Sequence, residues 1–379
     1  MLISNIRIVT EQQVIENGTV EIQDGRIKRI SDQITKEPTI DGGGATLLPG
    51  FIDVHIHGAD GHDTMDATKE ALDGITAKLP EEGTTSFLAT TMTQSVENIT
   101  RAVTNAGAYE SIKGAELLGI HLEGPFISDK KAGAQPLEHI LPPSIEQFQA
   151  WQDAANGRIK LVTLAPETEG ALPFIEKVSS TGVVCSLGHS DASFATASAA
   201  AEHGARHVTH LFNQMSGLHH REPGLVGAAF MNPVLMIEMI VDHIHVHPDA
   251  VRLAYQNIGP ERTMLITDAM RAKCLPSGTY DLGGQDVTVE NGEARLEDGT
   301  LAGSILKLNE AARNMREHAS WQELARITSG NAARQLDAFD RKGSIEEGKD
   351  ADLVLLNDEG DVLLTICRGE VAFRRGESS

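Results

Sequence analysis

Two histidines one residue apart, His55 and His57, close the apolar run FIDVHIH at residues 51–57. An imidazole nitrogen can carry a proton or bind a divalent metal. The same device recurs along the chain. ELLGIHLEG (116–124) carries Glu123, GVVCSLGH (182–189) ends in His189, and ARHVTHLF (205–212) carries His210. LMIEMIVD (235–242) ends in Asp242 with His245 just behind, and TMLITDA (263–269) carries Asp268. A lone His-x-His is weak evidence for metal, and a single histidine can be a packed core residue. Polar residues scattered by chance would also fall at the starts and middles of such runs, so the shared position is the signal. Histidines and carboxylates without thiolates suit zinc, iron(II) or manganese. Such a centre keeps a coordination position open and lowers the pKa of a water there. Hydrolysis then needs a group to take the water proton and hand it to the leaving group, and Asp268 ends the last run in a position to do so.

These residues must be brought together by their carriers. With TTSFLAT (84–90) and IKLVTLA (159–165), eight apolar, β-branched runs occur. Helical material separates most of them. DASFATASAAAEHG is alanine-rich with a His-Gly stop, and HPDAVRLAYQNIG has proline at its start and glycine at its end. Near-continuous apolar strands alternating with helices predict a parallel sheet covered on both faces. Eight such units predict an α/β fold, a (β/α)8 TIM-type barrel over residues 49–339. Its active site would lie at the C-terminal strand ends. Residues i and i+2 of a strand share a face, so His55 and His57 both aim inward. A β insertion near 277–300 would sit over that rim as either decoration or a wall or lid of the pocket. Residues 1–48 and 340–379 read as short strands. NGTVEIQDGRIKRI alternates between an Asn-Gly and an Asp-Gly turn. Neither end can bury a core alone, so both should join in one small β-sandwich domain.

Composition narrows the partners. The formal charge of −22 on 379 residues disfavours nucleic acid and anionic membrane surfaces. No apolar run of membrane-spanning length occurs, and the N-terminus lacks a secretion-signal pattern. Three cysteines without metal-like spacing, Cys185, Cys274 and Cys367, fit a reducing cytoplasm. An anionic substrate would need local cations against the overall field. Fifteen histidines gather partly near 203–220 and 243–247.

PGFIDVHIHG, HLEGPF, LGHSDA, HVTHLFNQMSG, LITDAM and GSIEEGKDADLVLL together resemble the amidohydrolase superfamily. Within it the chain is similar to the N-acetylglucosamine-6-phosphate deacetylases, HLEGPF with THLFNQM being the most specific part. That resemblance implies hydrolysis of N-acetylglucosamine 6-phosphate to glucosamine 6-phosphate and acetate, in amino-sugar catabolism and cell-wall sugar recycling. It implies Glu123, His189 and His210 as common metal ligands and Asp268 as catalytic acid/base. It further implies that His55 and His57 can hold a second metal with Glu123 as bridge, giving one or two divalent ions per subunit. Substrate contacts carry over to Ala134, Gln135, Asn213, Gln214, Arg221, His245, Leu301, Ala302 and Gly303. Arg221 would reach the neighbouring subunit's site in a homodimer, and its planar fork suits phosphate. His219 and His220 read as loop residues, and His243 and His247 as solvated. The alternative is an amidohydrolase acting on a different N-acyl or cyclic amide. Such enzymes commonly use a carboxylated lysine on strand four, and here Lys160 stands at the wrong end of that strand. A non-catalytic barrel scaffold would have lost its ligands, which this chain keeps.

Overall fold

The structure is a computed structural model that describes residues 1–32, 37–111 and 113–376. The expected C-terminal domain limit at 379 lies outside the described residues.

Eight parallel strands form the central body in chain order, Phe51–Ile56, Thr84–Thr90, Glu116–Glu123, Ile159–Leu164, Val184–Leu187, His207–Val208, Met236–Ile240 and Thr263–Ile266. The eighth closes on the first through the Ile56–Ala269 bridge, with Asp268 N donating to His55 O at 2.8 Å and His57 N to Ala269 O at 2.9 Å. The outward side chains of these strands join the helices in one large apolar core. Helix Phe194–Glu202 is capped by the Ser193 hydroxyl, and helix Pro248–Ile258 by the ring of His247, which accepts from Asp249 N. Both caps supply partners for otherwise orphaned first-turn N–H groups.

The fifth, sixth and eighth strands stop short of the apolar runs that encode them. The reason is local. His189, His210 and Asp268 take positive φ angles of 46°, 30° and 50°. A left-handed residue ends the extended ladder and swings its side chain off the strand direction.

The barrel interior is polar. Asp53, His55, His121, Thr163, Ser186, His207, Thr209 and Glu238 are all at 0% exposure. They satisfy one another, for instance His121 Nε2 with Thr163 Oγ1 at 2.7 Å and Thr163 Oγ1 with Thr209 Oγ1 at 2.7 Å. Thr163 therefore fills the inner face of strand four, while Lys160 is exposed at its start.

The termini build one continuous sheet, running from the C-terminal strands Glu370–Arg374, Val362–Cys367 and Leu353–Leu356 through Thr46–Pro49 to Leu2–Val9, Val14–Gln23 and Arg26–Ser31. Residues from both ends, such as Ile6, Val20, Leu353 and Ile366, enclose its own apolar cluster. The Asp24-Gly25 turn forms as expected. The Asn17-Gly18 turn does not, because both residues lie inside strand Val14–Gln23. Gly18 pairs with Ile6 at a bulge, and any Cβ there would sit 2.3 Å from Ile8 Cδ1. The glycine admits the isoleucine instead of turning the chain.

An ion network ties this sheet region to the barrel. Glu116, at the start of the third strand, receives both Arg341 guanidinium nitrogens at 2.6 and 3.0 Å and Lys342 Nζ at 2.8 Å. Lys342 is buried and also pairs with Asp352. Burial alone would raise the Glu116 carboxyl. Hydrogen bonding from Arg341 and the charge of Lys342 overcome it and hold the group down at about 2. A depressed acid stabilises the fold above its unfolded value of 4.5 and loses that contribution as pH falls toward about 2. Glu116→Gln should therefore cost on the order of 2–3 kcal/mol at neutral pH. Denaturant titrations of both proteins check this, and the gap between them should shrink progressively below pH ~4.5.

Candidate active site

At the C-terminal rim, Glu123 joins two groups of imidazoles. Its Oε1 lies 3.3 Å from His55 Nε2, 3.2 Å from His189 Nε2 and 3.3 Å from His210 Nε2. Its Oε2 lies 3.3 Å from His57 Nε2 and accepts from Gln135 Nε2 at 2.8 Å. Asp268 Oδ1 stands 3.3 Å from His55 Nε2 and 3.2 Å from His57 Nε2. Of three potential ligand sets among the described residues, two lie at this rim, His55–His57–Asp268 and Glu123–His189–His210, and the third, His55–His121–Glu238, lies beneath it in the barrel interior. Glu123 can turn outward here because Gly124 takes φ +74°, where a Cβ would meet Thr93 Oγ1 at 2.1 Å.

The donor set fits a divalent cation. His189 Nε2 and His210 Nε2 face each other at 3.1 Å, and His55 Nε2 is buried without a hydrogen-bond partner. Lone pairs converging in a buried place are costly unless a positive centre receives them. The protonation pattern tells the same story. Burial would lower His57, but hydrogen bonds to Asp268 and Glu123 carry it up to about 9. Burial would raise Glu123, yet the charge of His55 and hydrogen bonds from His189 and His210 drive it well below the usual range. Protons here substitute for the positive charge that an ion would bring.

Above the two sets opens a cleft, lined by His57, Glu123, His189, His210 and Asp268 below. Asn213, Gln214, His245, Ala134 and Gln135 line its sides, with Leu301 and Gly303 beside Met92 and Leu282. His245 is fixed by Asp242, whose Oδ2 accepts from Nδ1 at 2.6 Å. Gly303, at φ +61°, lets its loop approach Asp268, since a Cβ would lie 3.0 Å from Asp268 O. The β excursion forms three antiparallel strands, Gly278–Leu282, Gln285–Glu290 and Glu293–Arg295. Its apolar face packs on Met92, Met270 and Ala302, and Leu282 reaches the cleft, so the excursion forms part of the wall.

Two expected contacts stand apart. Ala302 is buried behind the wall, its N–H donating to Ala294 O at 3.0 Å because it pairs with the excursion. Arg221 lies on an exposed loop beside His219 and His220, outside this cleft. His243 and His247 are exposed, as read, though His247 also serves as the helix cap. Sequence reasoning missed Glu238, His207, His121 and Asp53. The available signal was a charged residue inside an apolar run, the Glu of LMIEMIVD and the Asp of FIDVHIH.

A rim carrying two imidazole–carboxylate sets, joined by one glutamate beneath a cleft, defines a metal-dependent hydrolase of the (β/α)8 class. The chain belongs to the amidohydrolase family, whose model matches residues 46–372. Residues 1–41 match a second model, the BsNagA composite domain. The chain is 53% identical to the N-acetylglucosamine-6-phosphate deacetylase of Bacillus subtilis (strain 168), over 98% of this chain and 97% of that one. Among solved structures, the N-acetylglucosamine-6-phosphate deacetylase of Thermotoga maritima is similar at 37% identity and TM-score 0.89, covering 99% of this chain and 100% of that one. A mutant of the Mycobacterium smegmatis deacetylase, solved in complex with N-acetyl-D-glucosamine-6-phosphate, matches at 32% identity and TM-score 0.93, covering 98% and 99%. Among the described residues, no helix is long and apolar enough to cross a membrane.

Proposed function

We propose that this chain hydrolyses N-acetylglucosamine 6-phosphate to glucosamine 6-phosphate and acetate. The observation that carries the reading is Asp268, a carboxylate at the cleft floor within 3.3 Å of two imidazoles that share Glu123 with two more. Glu123, His189 and His210 would hold one divalent ion, and His55 and His57 with Glu123 a second; zinc, iron(II) or manganese suits these donors. Such an ion supplies a polarised acetamide carbonyl and a more acidic water.

The chain's own groups do the rest. Asp268 accepts a proton from water as its oxygen bonds to the carbonyl carbon. The same carboxyl then returns the proton to the sugar nitrogen as the C–N bond breaks, releasing acetate. His245, anchored through Asp242, turns its free edge to the cleft, where it can support the carbonyl oxygen or a sugar hydroxyl. Asn213, Gln214, Gln135 and the backbone at Ala134, Leu301 and Gly303 orient the sugar. Met92, Leu282 and Leu301 help exclude water around the acyl group.

The 6-phosphate needs a cation, and no lysine or arginine is among the described residues lining the cleft. That supports a homodimer in which the partner copy supplies Arg221. Three free thiols suit a reducing cytoplasm.

Acetate release from N-acetylglucosamine with and without the 6-phosphate tests the reading, on protein of measured metal content. Release should depend on divalent metal and favour the phosphorylated sugar by at least ~100-fold in kcat/KM, about 2.7 kcal/mol for a desolvated Arg–phosphate contact. No release from it with zinc, iron(II) or manganese refutes the assignment.

A further inference from the structure

We propose that Glu238 is a positioning residue for the His55–His57 metal site, holding His55 so that Nε2, not Nδ1, faces the cation. Glu238 sits on the seventh strand at 0% exposure, one carboxylate amid Met236, Ile237, Met239 and Ile240. A buried carboxylate in such a strand is costly unless its oxygens are satisfied. Here each one is. Oε2 accepts from His55 Nδ1 at 2.9 Å and from His210 N at 3.1 Å. Oε1 pairs with His207 Nε2 at 3.0 Å, and His207 Nδ1 is itself pinned 2.6 Å from Gln335 Oε1.

The direction of these contacts goes beyond satisfying a buried charge. Only the far nitrogen of His55 touches Glu238, which leaves Nε2 without a hydrogen-bond partner between Glu123 and Asp268. A carboxylate on Nδ1–H selects that tautomer, fixes the ring and raises the basicity of Nε2 as a ligand. The other imidazoles are treated differently. His189 Nδ1 lies 2.9 Å from the Lys131 carbonyl, and the Nδ1 atoms of His57 and His210 have no partner among the described residues. Glu238 thus meets the ring of one ligand at one site, while its contact with His210 is to the backbone N–H and not the imidazole. Glu238 lies below the cleft floor and does not line it, so it acts through His55 and does not touch substrate.

The inference rests on His55 and His57 holding metal, and the experiment separates the two. Manganese and zinc bound per chain are measured across buffered free-metal concentrations for the wild type, His55→Asn/His57→Asn and Glu238→Gln. The amide keeps the size of the side chain but offers His55 a neutral acceptor. Two ions in the wild type and one in the double variant support the underlying reading; equal uptake by these two proteins overturns it. Glu238→Gln should then weaken the first-site ion about 10- to 100-fold and leave the second within about 2-fold. Unchanged first-site affinity, or equal weakening of both sites as a merely structural role gives, overturns the proposal. Should Glu238→Gln not fold, ¹⁵N-histidine spectra of the zinc-loaded wild type decide it, with His55 assigned from the single variant His55→Asn. A protonated Nδ1 and an unprotonated Nε2 on His55 are expected, and the reverse overturns the inference.

Discussion

Asp268→Asn should lower kcat about 10³-fold while changing KM no more than a few-fold. Burial would raise this carboxyl, but the charge of His55 and the hydrogen bond from His57 hold it below the usual range. It is therefore an anion at neutral pH and able to receive a proton. Asparagine has the same shape and cannot take one. The backbone that aims it should survive, because Asp268 N donates to His55 O at 2.8 Å and Ser304 N donates to Asp268 O at 2.7 Å. The Glu123–His189–His210 set does not include the changed atom and should keep its ion. Acetate release measured beside metal per chain distinguishes the outcomes. Near-normal turnover removes Asp268 from the proton-transfer role, and lost metal at the second set makes it structural.

Glu123→Gln should be more damaging still, reducing kcat/KM by more than about 10³-fold and emptying both metal sites together. Loss of an outer partner costs roughly 10- to 100-fold in affinity, and a shared ligand should exceed that. The geometry explains why both sites respond. Oε1 and Oε2 divide between His189 with His210 on one side and His57 on the other, while His55 lies against Oε1. A neutral amide withdraws the charge from all four imidazoles and offers an N–H where a ligand atom stood. Gln135, which donates to Oε2 and accepts from Thr93 N, would also lose its fixed partner. Metal analysis of the variant is the check. Retention of one ion per chain shows that Glu123 serves a single site and is not the junction.

The strand-end positions of His55, His57, Glu123, His189, His210 and Asp268 were legible because the period of a buried strand is local. An apolar run, a polar residue and a turn signal can be read from a dozen letters. The helix stop at His203-Gly204 and the Asp24-Gly25 hairpin were legible for the same reason. Asn17-Gly18 misled because a glycine that opens a turn and a glycine that admits Ile8 look alike in sequence. Which one it is depends on the neighbouring strand Leu2–Val9 and how it pairs. The pairing of Ala302 with Ala294 was equally out of reach, since it exists only once the excursion folds back.

By itself the sequence determined the chemical inventory and its order: eight carriers, the residues at their ends, and the absence of a lysine at the inner end of strand four. The tertiary structure decided the distances. Glu123 becomes a junction only because barrel closure sets the third strand between ligands from the first, fifth and sixth. Glu238 meets His55 across 183 residues of chain. The left-handed turns at His189, His210 and Asp268 are held by Ser128 N on His189 O, by the Glu238 carboxylate on His210 N, and by His55 O and Ser304 N on Asp268. Such strain, about 1–3 kcal/mol per residue, is borne by contacts remote in sequence, so no local pattern announces it.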